Sequence, residues 1–169
     1  MGNAGAGKTT MARGLLRRKR VPRLSLDEIA WSVGTRRKPL GESVRELEAF
    51  MDRHDGWIVE GCYGDLLEVA VARCTELRFL NPGVEACVAN CLERPWEPEK
   101  FASREEQADM PRALLDWVRQ YEVRDDEYGL KRHRRIYEAF AGRKREYTRL
   151  SEYDGAWRGG GRPPGGNEE

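Results

Sequence analysis

The sequence predicts an α/β protein whose parallel β-sheet is covered by helices on both faces. Short apolar segments alternate along the chain with amphipathic segments of helical periodicity, which is the pattern of β-α-β units. A glycine-rich segment near the amino terminus leads directly into the first of these helices. The chain has 169 residues, the size of one domain with a sizeable core.

The first half of the chain alternates regularly between helices and strands. Apolar residues at helical spacing, such as Met11 and Leu15, mark the helices, and short apolar runs mark the strands. Gly56 separates a helix from the strand that follows it. In order, the predicted elements are a helix over 9–19, a strand over 21–27 closed by Asp27, a helix over 42–53, a strand over 57–59, and a helix over 65–73 with Asp65 as its N-cap.

The second half continues this alternation to residue 93 and then changes character. The stretch 94–109 is polar, contains prolines and has little periodicity, which predicts a mobile loop. The other predicted elements are a strand over 77–80, a helix over 84–93, helices over 111–124 and 130–141, and a strand within 143–150. The tail 154–169 is rich in Gly and Pro and is predicted to be disordered, so one domain is placed at 1–153.

Charge and cysteine content limit the class of function. The formal net charge is +1, so no overall field attracts a nucleic acid or a membrane. Basic clusters at 17–23 and 131–135 are balanced by acidic residues and are interpreted as solvated faces. No apolar run approaches the ~20 residues of a membrane span, and no signal peptide is visible, which predicts a cytoplasmic location. The cysteines fit as reduced core thiols, and no partner completes a zinc site around Cys87 and Cys91.

The amino-terminal segment carries a phosphate-binding motif. Residues 2–9, Gly-Asn-Ala-Gly-Ala-Gly-Lys-Thr, match G-x-x-x-x-G-K-[ST] at every fixed position. Glycines let successive amides turn inward around a phosphate, and the following helix points its positive end at the same anion. Lys8 is predicted to reach the β- and γ-phosphates and Thr9 to bind magnesium. We therefore predict that ATP with Mg²⁺ binds at Gly2, Asn3, Ala4, Gly5, Ala6, Gly7, Lys8, Thr9 and Thr10.

A strand ordinarily precedes this motif, whereas only Met1 precedes Gly2 here. In P-loop folds that strand lies in the middle of the sheet, and its neighbours lose ladder partners without it. We therefore expect the natural start of the protein to lie several residues upstream.

Two carboxylates, Asp27 and Glu60, come where predicted strands end, at the edge of the sheet on which the motif lies. Phosphoryl transfer needs positioning, charge neutralisation and a group that orients the attacking oxygen. Both residues are candidates for these roles. The alternative for each is a helix cap or a solvated turn carboxylate.

Four segments together resemble the small kinases of the adenylate kinase and shikimate kinase group. They are the motif with Thr10, Leu-Asp-Glu-Ile-Ala-Trp at 26–31, Trp-Ile-Val-Glu-Gly-Cys-Tyr at 57–63 and Phe-Leu-Asn-Pro at 79–82. The likeness is greatest to the P-loop proteins labelled DNA-topology-modulation proteins and extends over residues 1–153. It implies a three-layer P-loop sandwich with an adenylate kinase-like parallel sheet, a missing first strand and a helical lid over 94–128.

The resemblance also implies roles for individual residues. Asp27 falls where shikimate kinases hold the acceptor hydroxyl, and Glu60 falls where adenylate kinases have an Asp-Gly pair that helps to fix magnesium. Arg94 matches the start of the lid, where arginines stabilise the transferring phosphoryl group. The implied catalytic residues are Lys8, Asp27 and Arg94, and the implied metal-binding residues are Thr9 and Glu60. Further lid candidates are Arg104, Arg112, Arg119 and Arg124, and candidates for the acceptor pocket are Trp31, Tyr63 and Trp96.

Departures from the family patterns leave the acceptor open. Residues 62–64 contain no arginine to hold a monophosphate, and the Gly-Gly-Gly run and Asp-x-Asp of shikimate kinases are missing. The expected function is transfer of the γ-phosphate of ATP to a small hydroxyl- or phosphate-bearing acceptor. The alternative is an NTP-binding regulator or nucleic-acid-associated P-loop protein. The basic clusters are the physical support for this alternative. A GTPase switch would need an Asn-Lys-x-Asp guanine motif, which the sequence lacks.

Overall fold

The computed structural model describes residues 1–32, 36–93 and 112–153, which form an α/β fold with short parallel strands. The helices are α1 Lys8–Leu16, α2 Leu26–Ala30, α3 Leu40–Asp52, α4 Gly64–Val71, α5 Val84–Leu92, α6 Arg112–Arg119 and α7 Leu130–Ala139. The strands are β1 Arg23–Ser25, β2 Ile58–Glu60, β3 Glu76–Leu80 and β4 Arg143–Tyr147. Single 3-10 turns occupy Gln120–Glu122 and Leu150–Glu152. Most predicted elements are found, with ends that differ by a few residues.

The prediction that Asp27 closes a strand was wrong. β1 ends at Ser25, and Asp27 lies in the first turn of the short helix α2. Leu26, Ile29 and Ala30 are all buried, at spacings that place them on one face of a helix. Their burial favours a helical turn over a continued strand at this point.

The prediction that Asp65 is the N-cap of its helix was also wrong. α4 begins one residue earlier, after Tyr63, and its N-cap has no side-chain hydrogen bond. Asp65 lies in the first turn, where its Oδ1 accepts a hydrogen bond from the Leu66 amide at 2.8 Å. Its carboxylate also pairs with Arg37, with Nη2 and Oδ2 3.1 Å apart. Asp65 therefore still sits where a negative charge favours the helix.

The described strands form two parallel pairs instead of one continuous sheet. β1 pairs with β2, and β3 pairs with β4. Beside β3, on the edge away from β4, Gly2 forms an isolated parallel bridge with Leu80. β2 and β3 are therefore not paired with each other. Among the described residues between them, Met1 and Gly2 form a short ladder with the end of β3. On the far side, β4 is an outer strand whose charged residues keep that edge exposed.

Two hydrophobic clusters form the core. The larger one joins β1 and β3 to α2, α3, α4 and α7, with Leu47, Leu66 and Phe79 fully buried at its centre. The smaller one joins α1, α5 and α6 to the carboxyl ends of β3 and β4. The glycine-rich segment sits beside this smaller cluster, since Ala6 is one of its members. The glycine-rich segment is therefore supported by packed helices.

His133 is a fully buried histidine that joins α7 to the rest of the core. Its Nε2 lies 2.9 Å from the Cys62 carbonyl oxygen, and its Nδ1 lies 2.7 Å from the Tyr121 hydroxyl. A carbonyl only accepts, so Nε2 carries the proton and Nδ1 accepts from the tyrosine. Burial lowers the pKa of His133 to about 3. The imidazole of His133 is therefore neutral in the folded protein.

We expect this histidine to make the protein acid-sensitive. The unfolded chain binds a proton at His133 near pH 6.5, whereas the folded protein does so only near pH 3. Stability is therefore complete above pH ~6.5 and falls by about 1.4 kcal/mol per pH unit below it. In urea titrations at pH 7 and pH 5, His133→Gln should lose less unfolding free energy than wild type, by about 2 kcal/mol.

A matched control is His54→Gln, which removes the other histidine, half-buried against Phe50. It removes a histidine side chain without touching the contacts of His133 with Tyr121 and Cys62. Equal pH dependence in wild type and His133→Gln would show that the buried imidazole is not the source of acid sensitivity.

Several predictions fall outside the described residues, namely the loop over 94–109, the tail over 154–169, Arg94, Trp96 and Arg104. Within the described ranges, every helix is too short or too polar to span a bilayer.

Candidate functional site

The glycine-rich segment forms a tight loop that ends at the first turn of α1. Gly5 and Gly7 adopt left-handed backbone conformations, with φ of 77° and 82°. Residues with a Cβ rarely tolerate these angles, so the loop depends on glycine at both positions. Inside the loop, the Ala6 amide donates to the Asn3 carbonyl oxygen at 3.2 Å. The two left-handed residues fold the backbone back on itself just before the helix.

Three side-chain hydrogen bonds hold this loop in place. Asn90 of α5 donates to the Gly5 carbonyl oxygen at 2.8 Å, and the Tyr153 hydroxyl donates to the Ala6 carbonyl oxygen at 2.9 Å. The buried Asn3 side chain donates to the Val118 carbonyl oxygen of α6 at 3.1 Å. All three contacts bind outward-facing groups of the loop. They leave its amides unused.

The amides around the start of α1 form a free donor set. In the part of the chain that the structure describes, the amides of Gly5, Gly7, Lys8 and Thr9 donate no hydrogen bond. The first amides of a helix have no partner within the helix, and they carry the positive end of its dipole. A loop with left-handed residues that precedes such a helix end is the backbone arrangement that binds phosphate oxygens.

Lys8, the first residue of α1, folds back over the loop. Its Nζ donates to the Asn3 carbonyl oxygen at 2.7 Å. An ammonium group has three donors, so two stay available for another acceptor beside the free amides. The structure thus brings the predicted lysine and the predicted loop together.

Thr9 and Glu60, the predicted metal-binding pair, meet at the end of β2. The Thr9 hydroxyl donates to Glu60 Oε1 at 3.1 Å. Glu60 is buried, and its Oε1 also accepts from Arg23 Nη1 at 2.8 Å. Its Oε2 accepts no hydrogen bond from the described residues. The chain therefore places a hydroxyl and one free carboxylate oxygen beside the amide cluster.

Arg23 is a site residue that the sequence analysis missed. We interpreted it as part of a solvated basic cluster, but its side chain is only 23% exposed because it pairs with Glu60. In the parallel register Arg23 lies opposite Ile58, two residues before Glu60 and on the same face, so its long side chain reaches along the strands to the carboxylate. The sequence signal was an arginine within the short strand predicted over 21–27, which is too weak to distinguish it from its neighbours.

Asp27 belongs to a chain of side-chain hydrogen bonds with two aromatic residues. The Tyr63 hydroxyl donates to Asp27 Oδ1 at 2.6 Å and accepts from Trp31 Nε1 at 2.6 Å. Burial is the largest cause that raises the pKa of Tyr63, and the Asp27 charge adds to it, so the phenol keeps its proton. Asp27 is exposed, and its Oδ2 accepts no hydrogen bond from the described residues. The carboxylate is thus oriented through one oxygen and open at the other.

Arg37 is a second residue that the sequence analysis missed. Its guanidinium lies 4.8 Å from the centre of the Tyr63 ring and pairs with Asp65 of α4. Tyr128 packs edge-on against the Tyr63 ring, and the two ring centroids are 5.4 Å apart. Arg37 lies in a basic stretch between predicted elements, where no periodicity indicates the direction of a side chain. The structure places it beside two of the predicted acceptor-pocket residues, Trp31 and Tyr63.

The pKa of the buried Cys62 thiol responds to charges of this site. Burial is the main reason that this pKa rises to about 11; the Lys8 charge opposes the rise, and the Asp27 and Glu60 charges add to it. Electrostatic effects of this kind fall off with distance. The Cys62 thiol therefore lies within electrostatic range of all three side chains.

The lid candidates among the described residues do not contact the glycine-rich loop. Arg112 is exposed on α6, and Arg119 pairs with Asp116 on the surface at 3.0 Å. Arg124 stacks on Trp117, with its guanidinium 4.3 Å from the ring centroid, and forms a salt bridge with Asp126. Arg119 and Arg124 thus have structural partners. The structure does not bring them to the loop.

No cluster of three or more His, Cys, Asp or Glu side chains suited to a metal occurs in the described ranges. A magnesium ion that binds with a nucleotide needs only one or two protein oxygens, because phosphates and water supply the others. Thr9 and Glu60 fit that smaller requirement. These two residues are therefore compatible with magnesium bound together with a polyphosphate.

Comparison with known proteins gives no functional assignment. No protein-family model matches the sequence, and no curated protein matches it. One solved structure that is similar is an uncharacterized protein from Eubacterium ventriosum ATCC 27560, at 16% sequence identity. The match covers 93% of this chain and 90% of that one, with a TM-score of 0.42.

Proposed function

We propose that this protein binds ATP with Mg²⁺ at the glycine-rich loop and transfers the γ-phosphate to a small hydroxyl- or phosphate-bearing acceptor. The observation that carries the proposal is the free donor set at residues 5–9, bordered by the Lys8 ammonium. A polyphosphate satisfies such a set with several hydrogen bonds and compensates its positive charge. The other contacts of the loop hold it in this shape without a ligand, which reduces the cost of binding.

The loop, Lys8 and Thr9 have distinct tasks in this proposal. The amides bind phosphate oxygens, and Lys8 balances the charge that moves during transfer. The Thr9 hydroxyl and Glu60 Oε2 would hold Mg²⁺, which supplies further charge neutralisation when bound. Arg23 orients Glu60 through Oε1, so that the other oxygen faces the site.

Asp27 has the geometry of a residue that orients an acceptor hydroxyl. Tyr63 donates to its Oδ1 and fixes the carboxylate, and Oδ2 is open to solvent. An acceptor hydroxyl that donates to Oδ2 would be aligned for attack on phosphorus and would pass its proton to the carboxylate. Arg37 and Trp31 border the same space. A cation and an aromatic ring suit a small acceptor with an anionic or planar part.

The alternative of a nucleic-acid-associated protein has less support. In the cluster at 131–135, Lys131, Arg132 and Arg134 pair with the carboxylates of Asp125, Glu68 and Glu146. A phosphate backbone would have to displace these partners. The observed pairs therefore favour the enzyme over the nucleic-acid binder.

The proposed function is tested in two steps. Calorimetric titration with ATP, with and without Mg²⁺, measures the affinity of the loop. A screen of small alcohols, sugars and monophosphates for acceptor-stimulated ADP formation then identifies the acceptor. No magnesium-dependent affinity for ATP would rule out the whole proposal, and affinity without stimulated ADP formation by any acceptor would rule out the kinase.

Asp27→Asn should reduce the rate of phosphoryl transfer by about 100- to 1,000-fold. The amide keeps the acceptor oxygen for Tyr63 but loses the negative charge that takes up the proton. ATP affinity should change less than threefold, because Asp27 does not contact the loop. Glu48→Gln is the control, since it removes a carboxylate charge from an exposed residue of α3. Loss of ATP binding in Asp27→Asn would assign the residue to the nucleotide instead.

A further inference from the structure

Trp31 presents an exposed indole ring whose position is fixed at two points. The residue is 40% exposed, although its indole Nε1 donates to the Tyr63 hydroxyl at 2.6 Å. Its backbone forms an antiparallel bridge with Arg37, just after the end of α2. The hydrogen bond occupies the one polar atom of the indole, so the rest of the side chain offers apolar ring surface. A rigid, exposed aromatic ring is a surface on which another ring can stack at little entropic cost.

The Tyr63 hydroxyl joins this ring to Asp27. It accepts from Trp31 Nε1 and donates to Asp27 Oδ1, each across 2.6 Å. The indole nitrogen and the carboxylate are therefore separated by a single oxygen atom. Asp27 is exposed, and its Oδ2 accepts no hydrogen bond from the described residues. A molecule that lies on the Trp31 ring would thus have its substituents within reach of an open carboxylate oxygen.

Arg37 is already committed to partners within the protein. Its Nη2 lies 3.3 and 3.1 Å from the two carboxylate oxygens of Asp65, and its Nη1 donates to the Ala30 carbonyl oxygen at 3.1 Å. The side chains of the Arg37–Asp65 pair are only 23% and 21% exposed. An anionic acceptor that took Arg37 from Asp65 would leave a largely buried carboxylate without its partner, which is costly. The pair therefore disfavours an anionic acceptor.

The charges around this space point in the same direction. Asp27 and Asp65 are two negative charges against the one positive charge of Arg37, which leaves these three side chains net negative. Residues 33–35, Val-Gly-Thr, add no charge, and Arg36 is exposed to solvent, where its charge is screened. A cationic acceptor would pair with Asp27 Oδ2 and compete with the hydroxyl that has to donate its proton there. An uncharged acceptor meets neither obstacle.

We propose that the phosphoryl acceptor is an uncharged ring compound with a free hydroxyl group, a pyranose sugar or a nucleoside, which stacks on Trp31 and donates its hydroxyl to Asp27 Oδ2. This inference rests on the proposed function and narrows its acceptor, because the contacts favour a ring over an anionic group. The acceptor oxygen forms a bond to the γ-phosphorus, the bond from that phosphorus to the ADP oxygen breaks, and the hydroxyl proton passes to Asp27. The products are ADP and the phosphate ester of the acceptor.

The first experiment measures binding without a nucleotide. Saturation-transfer NMR should detect glucose, uridine or both, which identifies the source of the ring, and should give no signal for sorbitol, a polyol without a ring. Trp31→Leu should weaken binding about tenfold. Trp31→Phe also loses the bond to Tyr63 but keeps a ring, so it should bind within about threefold of wild type. Val123→Ala, which shortens a residue that is 81% exposed, is the control.

Three results of this measurement would overturn the proposal. They are equal affinity in wild type and Trp31→Leu, binding of sorbitol as tight as that of glucose, and no binding of either ring compound.

The second experiment tests the charge of the acceptor through acceptor-stimulated ADP formation. The kcat/KM should be at least tenfold higher for glucose than for anionic glucuronate or cationic glucosamine, or for uridine than for anionic orotidine. Asp65→Asn should release Arg37 while it keeps an oxygen for the Leu66 amide. It should therefore raise the kcat/KM ratio of anionic to uncharged acceptor about tenfold. Asp52→Asn is the matched control, since it breaks an exposed pair with Arg73 and should leave the ratio unchanged.

Preference of the wild type for an anionic or cationic acceptor, or an unchanged ratio in Asp65→Asn, would overturn the proposal. The two experiments also separate it from the proposed function. A protein that bound ATP with Mg²⁺ but no ring compound would contradict the acceptor assignment alone. A protein that bound the ring through Trp31 but no ATP would contradict the proposed function, and the ring would then be a ligand instead of an acceptor.

Discussion

Lys8→Ala should abolish ATP-dependent turnover, with a loss of about 1,000-fold or more in kcat/KM. The ammonium group lies over the loop through its bond to the Asn3 carbonyl oxygen and borders the free amides. In the proposed reaction it is the one positive side chain of the described residues that reaches the transferring phosphate. Removing a donor that stabilises transition-state charge costs about 100- to 1,000-fold, and the loss of a full charge adds to this. ADP formation with a saturating acceptor measures the effect.

The matched control is Lys131→Ala, which removes a lysine whose side chain is 78% exposed on α7. It should leave kcat/KM unchanged within twofold. Because the Lys8 side chain is bound only through Nζ, its removal should change the thermal stability by little. Turnover that survives in a folded Lys8→Ala protein would remove the loop from the mechanism.

The sequence was sufficient to predict those parts of the fold that depend on local pattern. Amphipathic periodicity located α3 and α5, and short apolar runs located β2 and β3, to within a few residues. The loop was also predictable, because its glycines are needed at fixed positions whatever surrounds them. The left-handed Gly5 and Gly7 have the conformation that the motif indicates.

Long-range contacts account for what the sequence did not predict. Asp27 was placed at a strand end because Leu24 and Leu26 alternate, yet burial of Ile29 and Ala30 turns this stretch into a helix. Arg23 and Arg37 look like other surface arginines in the sequence. Their roles depend on Glu60 and Asp65, which lie more than 25 residues away and come close only in the folded chain. No local pattern encodes such pairs.

Gly5→Ala should destabilise the folded protein by more than about 2 kcal/mol and weaken ATP binding at least tenfold. Two costs combine at this position. The left-handed conformation, with φ of 77°, costs a residue with a Cβ about 1–2 kcal/mol. In addition, the new Cβ would lie 2.1 Å from the Cys87 carbonyl oxygen of α5, so the loop or the helix must move. Urea unfolding measures the first effect, and calorimetric titration with ATP measures the second.

Gly83→Ala is the comparison for a backbone cost without a clash. Gly83 also has a positive φ, 92°, with a ψ of 157°, but a Cβ there would meet no heavy atom closer than 4.0 Å. It should therefore show a backbone cost alone, about 1–3 kcal/mol, and keep its affinity for ATP. If Gly5→Ala were no less stable than Gly83→Ala and bound ATP equally well, the loop would not be the rigid phosphate-binding structure that the proposed function requires.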